Sequence, residues 1–143
     1  MDRSPKTLRW FALVCLLGAQ TFGAGAQVNP RPRGVMLGAI QTAVIESIAA
    51  QDKSVEVRID GSVLVVSRVN SNQNASNHIG RNNEAAAIAA IAAKSIANDG
   101  EYSAINVIRV EYIDRAAAGG GEKEIDSMDF RKNAKGEFEV HLT

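Results

Sequence analysis

Cysteine is almost missing from this chain. Of 143 residues only Cys15 is one, so neither an internal disulfide nor a thiolate zinc site can be assembled. A surplus of one charge is missing too, with 16 basic against 16 acidic residues. That balance excludes the basic field that holds nucleic acid. No charge block or basic amphipathic helix is present to grip a membrane surface. The opening apolar run, WFALVCLLGA, is about half the ~20 residues that a membrane-spanning helix needs.

Catalytic motifs are missing as well. There is no G-x-S-x-G elbow, no G-x-G-x-x-G and no Walker loop. The two histidines, His78 and His141, show no metal-binding spacing. His141 alternates with Glu139 and Glu137, a pattern whose ordinary use is a solvated strand face. Asp126 and Asp129 have opposite strand parity and cannot form a carboxylate pair on one face. The sequence therefore names no catalytic residue, no metal ligand and no cofactor, and a hydrolase is the least supported function class.

What is present begins with an address label. Arg3, Lys6 and Arg9 form a positive start, the apolar run follows, and Ala24-Gly25-Ala26 matches an A-x-A cleavage site. Residues 1–26 thus read as a signal peptide, with the mature chain starting at Gln27 and no membrane span left after cleavage. Cys15 follows Val14 where a lipoprotein signal wants a small residue, so it reads as apolar filler. The label takes Arg3, Lys6, Arg9 and Asp2 with it. The remaining 117 residues carry 13 basic and 15 acidic side chains, a net charge of −2. Such a leader, with high alanine and no remaining cysteine, points to a bacterial periplasmic or secreted protein.

Residues 27–34, QVNPRPRG, read as a flexible proline-bearing lead. A single domain then covers 35–143. Met36, Ile40, Val44 and Ile48 stripe one face of a first helix over 35–51. A hairpin follows, in which Val55, Val57 and Ile59 alternate with Glu56 and Arg58. Asp60-Gly61 is its expected two-residue turn, of type I′. That turn sets Ile59 against Ser62, Val57 against Leu64 and Val55 against Val66. Val63 and Val65 then join Glu56 and Arg58 on the other side. A half-valine second face exceeds what solubility asks for, so Val63, Val65, Arg58 and Glu56 form a candidate contact surface.

Residues 70–83 read as an asparagine-rich polar loop ending where Asn82 or Asn83 caps a second helix. Gly80, Arg81, Asn82 and Asn83 would place an arginine and free N–H groups at that helix start, a general recipe for holding an anion. Ile88, Ile91, Ala92, Ser95 and Ile96 share one helical face, and Gly100 is the expected left-handed stop. In the strand that follows, Ile108, Val110 and Tyr112 point one way. A closing hairpin carries Met128 and Phe130, then Phe138, Val140 and Leu142, joined through Asn133, Ala134, Lys135 and Gly136 with positive φ at the glycine.

The expected fold is α+β, a two-layer sandwich of order α-β-β-α-β-β-β with two helices on one face of a mainly antiparallel sheet. Over about 35–113 this layout resembles that of small bacterial envelope domains such as the BON module, carried by VEVRIDGSVLVV and by INVIRV. A resemblance of layout implies the fold and no particular activity. The expected function is a non-catalytic interaction or assembly module of the bacterial envelope or secretome, meeting a protein partner or a second copy of itself. A binder of small anionic ligands at the start of the second helix is the alternative.

Overall fold

Alternating β-branched and polar residues become five strands here, and the two isoleucine- and alanine-bearing stretches become two helices. The computed structural model describes residues 33–48, 54–117 and 120–140. The signal peptide, most of the lead, the last turn expected of the first helix, and His141 and Leu142 lie outside them.

Helix α1 is Arg33–Ile48, followed by β1 at Val55–Asp60 and β2 at Val63–Val69. Helix α2 spans His78–Ile96, and then come β3 at Val107–Arg115, β4 at Glu122–Lys132 and β5 at Phe138–Val140. The sheet runs β1-β2-β3-β4-β5, with β2 and β3 parallel and every other pair antiparallel. This is the expected α+β order, and a helical crossover is what parallel neighbours require. Helix α2 supplies it.

Both helices pack on the same sheet face. Ile40 and Val44 of α1 and Ile88, Ala89 and Ala92 of α2 meet Leu64, Val66, Ile108, Val110 and Phe130 of the sheet. The alanines keep α2 thin where it lies over the central strands. Each fully buried Ile, Leu or Val contributes roughly 1.5–3 kcal/mol, so this one seam carries most of the stabilisation.

Four boundaries differ from the sequence reading. Helix α1 starts at Arg33, so Gly34 is helical and does not belong to the lead. The hairpin turn sits at Gly61-Ser62, not Asp60-Gly61, and Asp60 pairs with Val63. A type I′ turn at Asp60-Gly61 would need positive φ at the aspartate. Placed one residue later, the turn needs it only at Gly61, where φ is +59°, the glycine-first pattern of type II′. The register therefore shifts by two, setting Val55 against Arg68, Val57 against Val66 and Ile59 against Leu64. A slip of two keeps each side chain on its own face.

Helix α2 begins at His78, capped by the Asn77 side chain, which accepts from the Gly80 N–H at 2.8 Å. Asn82 and Asn83 are thus inside the helix. At its other end Gly100 is not left-handed. It opens a 3-10 turn, Gly100–Tyr102, whose Asp99 cap accepts from the Glu101 N–H at 3.0 Å. Gly136, by contrast, has φ +85° as the hairpin requires.

Strand β4 is the longest, and β5 pairs only with its last three residues, Phe130, Arg131 and Lys132. Among the described residues no strand lies along the outer side of 122–129.

Candidate functional site

The sheet face away from the helices is assembled from the odd positions of β2 and β3. Val63, Val65 and Val69 lie on β2, with Val107 and Ile113 on β3. The register sets Val63 directly beside Val107 and Val69 beside Ile113. Five aliphatic side chains therefore run down the middle of this face. Val65 is only 3% exposed although no helix among the described residues covers it. Its direct cross-strand neighbours are Arg58 and Arg109, whose long apolar stems flank it while their charged ends reach outward.

Those arginines are held by carboxylates. Arg58 Nη1 donates to Glu111 Oε1 at 2.6 Å and to Ser67 Oγ at 2.9 Å, and Ser67 Oγ donates to the same Glu111 oxygen at 2.5 Å. Arg109 clasps Asp129 with two bonds of 2.7 and 2.9 Å. Arg115 reaches Glu56 on one side, at 2.6 and 3.0 Å, and Glu122 on the other at 2.6 Å. Burial alone would raise the Glu111 carboxyl. The bonds from Arg58 and Ser67 outweigh it and hold the group below the usual glutamate range. Asp129 and Glu56 are likewise lowered, each chiefly by its arginine partner.

One row departs from this pattern. Across the sheet it reads Asp60, Val63, Val107, Arg131 and then Glu139 of β5, whose carboxylate accepts from Asn133 Nδ2 at 2.7 Å. The valines are half-buried, and the two flanking charges are exposed. Neither Asp60 nor Arg131 forms a salt bridge among the described residues.

The structure brings all four residues of the candidate contact surface, Glu56, Arg58, Val63 and Val65, onto this face. It treats Gly80, Arg81, Asn82 and Asn83 differently. All four lie in α2, and the Gly80 N–H is already bonded to Asn77. The Arg81 guanidinium turns inward. Its Nε donates to Asp126 Oδ2 at 2.8 Å, and its Nη1 donates to the carbonyls of Ser76 and Asn74. His78 Nδ1 shares that Asp126 oxygen at 2.8 Å. Burial would raise Asp126, but the Arg81 and His78 bonds lower it overall.

Beside this pair lies a buried polar cluster that the sequence reading does not foresee. Arg68, 3% exposed, points at the helices from the apolar parity of β2. Its Nε donates to Glu84 Oε1 at 2.9 Å, Nη1 to the Ser54 hydroxyl at 2.8 Å, and Nη2 to Ser71 Oγ at 2.9 Å. The fully buried Tyr112 hydroxyl donates to the Arg81 carbonyl at 2.9 Å and lies 3.3 Å from Glu84. Burial, then the Glu84 charge, pushes that phenol well above its ordinary value, so it stays a neutral donor. With every arm bonded, the cluster clamps the first turns of α2 to the sheet. The signal was present in the sequence, since Arg68 shares parity with Leu64 and Val66.

Among the described residues no three His, Cys, Asp or Glu side chains are grouped to hold a metal ion, and no helix is long and apolar enough to cross a membrane. No family model matches the chain. No curated protein matches it in sequence.

Proposed function

We propose that this chain is a non-catalytic interaction module, exported to the bacterial envelope or beyond, whose partner is a second copy met through the sheet face opposite α1 and α2. The observation that carries this reading is the row Asp60, Val63, Val107, Arg131. Its first four members, short of Glu139, are self-complementary. A two-fold axis lying in the interface along the strands lays valines on valines and sets each Asp60 opposite the partner's Arg131. Apolar centre and polar rim are the ordinary anatomy of an interface, and two-fold pairs are the commonest oligomers. About that axis the far end of the face, where Arg115 pairs with Glu56 and Glu122 and Glu124 stands nearby, would meet its own copy with an excess of acid, so the contact is confined to the end that holds this row. Export rests on the positive start, apolar run and A-x-A site of residues 1–26.

Light scattering on the purified chain tests the pairing. The expected mass is that of a dimer. Asp60→Arg alone, or Arg131→Asp alone, puts like charges in register and should weaken association by roughly tenfold, about 1.4 kcal/mol. The double variant restores the opposite-charge pairing and should recover dimerisation. A monomeric wild-type chain, or a double variant no better than either single one, overturns the reading.

A further inference from the structure

The outer edge of β1 is a second surface, apart from the sheet face. Strand β1 stands first in the sheet order, and among the described residues no strand lies outside it. Hydrogen bonding alternates along an antiparallel pair. The two-residue turn makes Asp60 and Val63 a bonded pair, so Arg58 and Glu56 also spend their backbone groups on β2. Those of Val55, Val57 and Ile59 point outward. The Val55 carbonyl agrees with this, accepting from Gln41 Nε2 of α1 at 2.6 Å. Among the described residues no bond engages the outward groups of Val57 and Ile59.

Apolar surface borders this edge. Gln41 shares one flank of α1 with Leu37, Ile45 and Ile48, at helical spacing. Those three aliphatic side chains are half-buried, as are Val57 and Ile59 on the helix side of β1. Because Gln41 reaches the outer carbonyl of the strand, its flank of α1 lies over the open edge.

The strand's own side chains decide what fits there. Only the outward groups can pair, so an antiparallel second β1 can slide only in steps of two residues. A pairing centred on Glu56 or on Arg58 sets that charge against its own copy. Centred on Val57, it sets Glu56 against the partner's Arg58 and Arg58 against the partner's Glu56, with Val55 beside Ile59. Opposite charges directly across strands stabilise, and like charges destabilise. Arg58 and Glu56 keep 54% and 46% of their side-chain surface exposed despite their bonds to Glu111 and Arg115, so both can take part.

We infer that β1 pairs antiparallel with β1 of a second copy, about a two-fold axis through Val57, joining the two sheets into one. That axis keeps the helices on one side of the joined sheet, where the apolar flanks of the two α1 helices close over the seam. Apolar burial and backbone bonds supply the affinity, and the Glu56–Arg58 pairs select the register. None of Asp60, Val63, Val107 and Arg131 takes part, so this contact stands or falls apart from the one on the sheet face.

Disulfide formation between two variants reads the register. Glu56→Cys and Arg58→Cys chains, each also carrying Cys15→Ser, are mixed in a glutathione redox buffer. Facing positions of a non-hydrogen-bonded pair lie about 4.5 Å apart at Cα, within disulfide range. The mixed disulfide should form roughly tenfold faster than either same-variant disulfide, whose positions are offset along the strand by two residues. The face contact sets β1 against the partner's β4 and cannot produce this bond. Adding Asp60→Arg, which weakens that contact, should therefore leave the result unchanged. In the wild-type chain at millimolar concentration the Val57 amide, bare in a single copy, should be protected roughly tenfold or more against hydrogen exchange. Absence of the mixed disulfide, equal rates for mixed and same-variant disulfides, or a Val57 amide left unprotected each overturns the inference.

Discussion

Arg68 shows most directly how one side chain can organise this fold. A buried guanidinium is tolerated because Glu84, Ser54 and Ser71 occupy all its arms. Removing it leaves Glu84 partly buried without its counter-charge, and breaking such a pair costs about 3–5 kcal/mol. Arg68→Leu should therefore lose that much in urea unfolding. Arg68→Leu with Glu84→Leu should recover a good part of it, since two apolar groups strand no charge. If the double variant is as unstable as the single one, the serine bonds and not the ion pair hold the cluster. At this scale the sequence was partly legible. Parity alone placed Val63, Val65, Arg58 and Glu56 on one face. The partner of Arg68 was not legible, because a helix residue sixteen positions later supplies it, and no local spacing encodes that distance.

At the scale of elements, periodicity showed where helices and strands would be, and the misjudged points were their ends. Residues 70–83 carry six asparagines and no apolar stripe, which hid both a 3-10 turn, Asn72–Ala75, and the first turn of α2. An asparagine can cap a helix or ride inside one. Here the choice fell on Asn77, because starting α2 at His78 lets His78 and Arg81 reach Asp126 and lets Glu84 reach Arg68. Tertiary bonds thus set a boundary that local preference left open. Asn77→Ala should cost about 0.5–2 kcal/mol in thermal unfolding, the usual worth of an N-cap, whereas Asn83→Ala, inside the helix and exposed, should change stability little. Equal losses at the two positions would contradict the observed start. The hairpin behaves in the opposite way: its turn lies one residue beyond Asp60-Gly61, and because the register moves by two every side chain keeps the face that its parity predicts.

For the whole molecule the relevant quantity is the set of carboxylates held below their ordinary range. Glu111, Glu56, Asp126 and Asp129 are all lowered. A lowered group binds its proton more weakly when folded than when unfolded. Its stabilisation is therefore complete above the unfolded value, 4.5 for glutamate and 3.8 for aspartate, and drains away as pH falls through the lower folded value. Stability measured by circular dichroism and urea should be level near neutral pH and decline on acidification through that window. Glu111→Gln should show a shallower decline. A stability that rises as pH drops from 5 to 3 would contradict the four assignments.

Among the described residues the outer side of β4, before its pairing with β5, has no partner strand, and that bears on solubility. A strand with bare N–H and C=O groups is a template on which another strand can assemble, and proteins guard such edges with charge. Between Glu122 and Asp129 this strand carries Glu122, Glu124, Asp126 and Asp129 against the single Lys123. Two such edges repel one another while those acids are ionised. The arginines that depress Asp126 and Asp129 keep those carboxylates ionised further into acid than free aspartates, but they also offset their charge, and Glu124 is left as the acid of this edge outside any salt bridge among the described residues. The ion pairs tie β4 to the fold, while its defence against fibre-like self-assembly rests on the carboxylate charge they leave uncompensated and ends where those groups take up their protons.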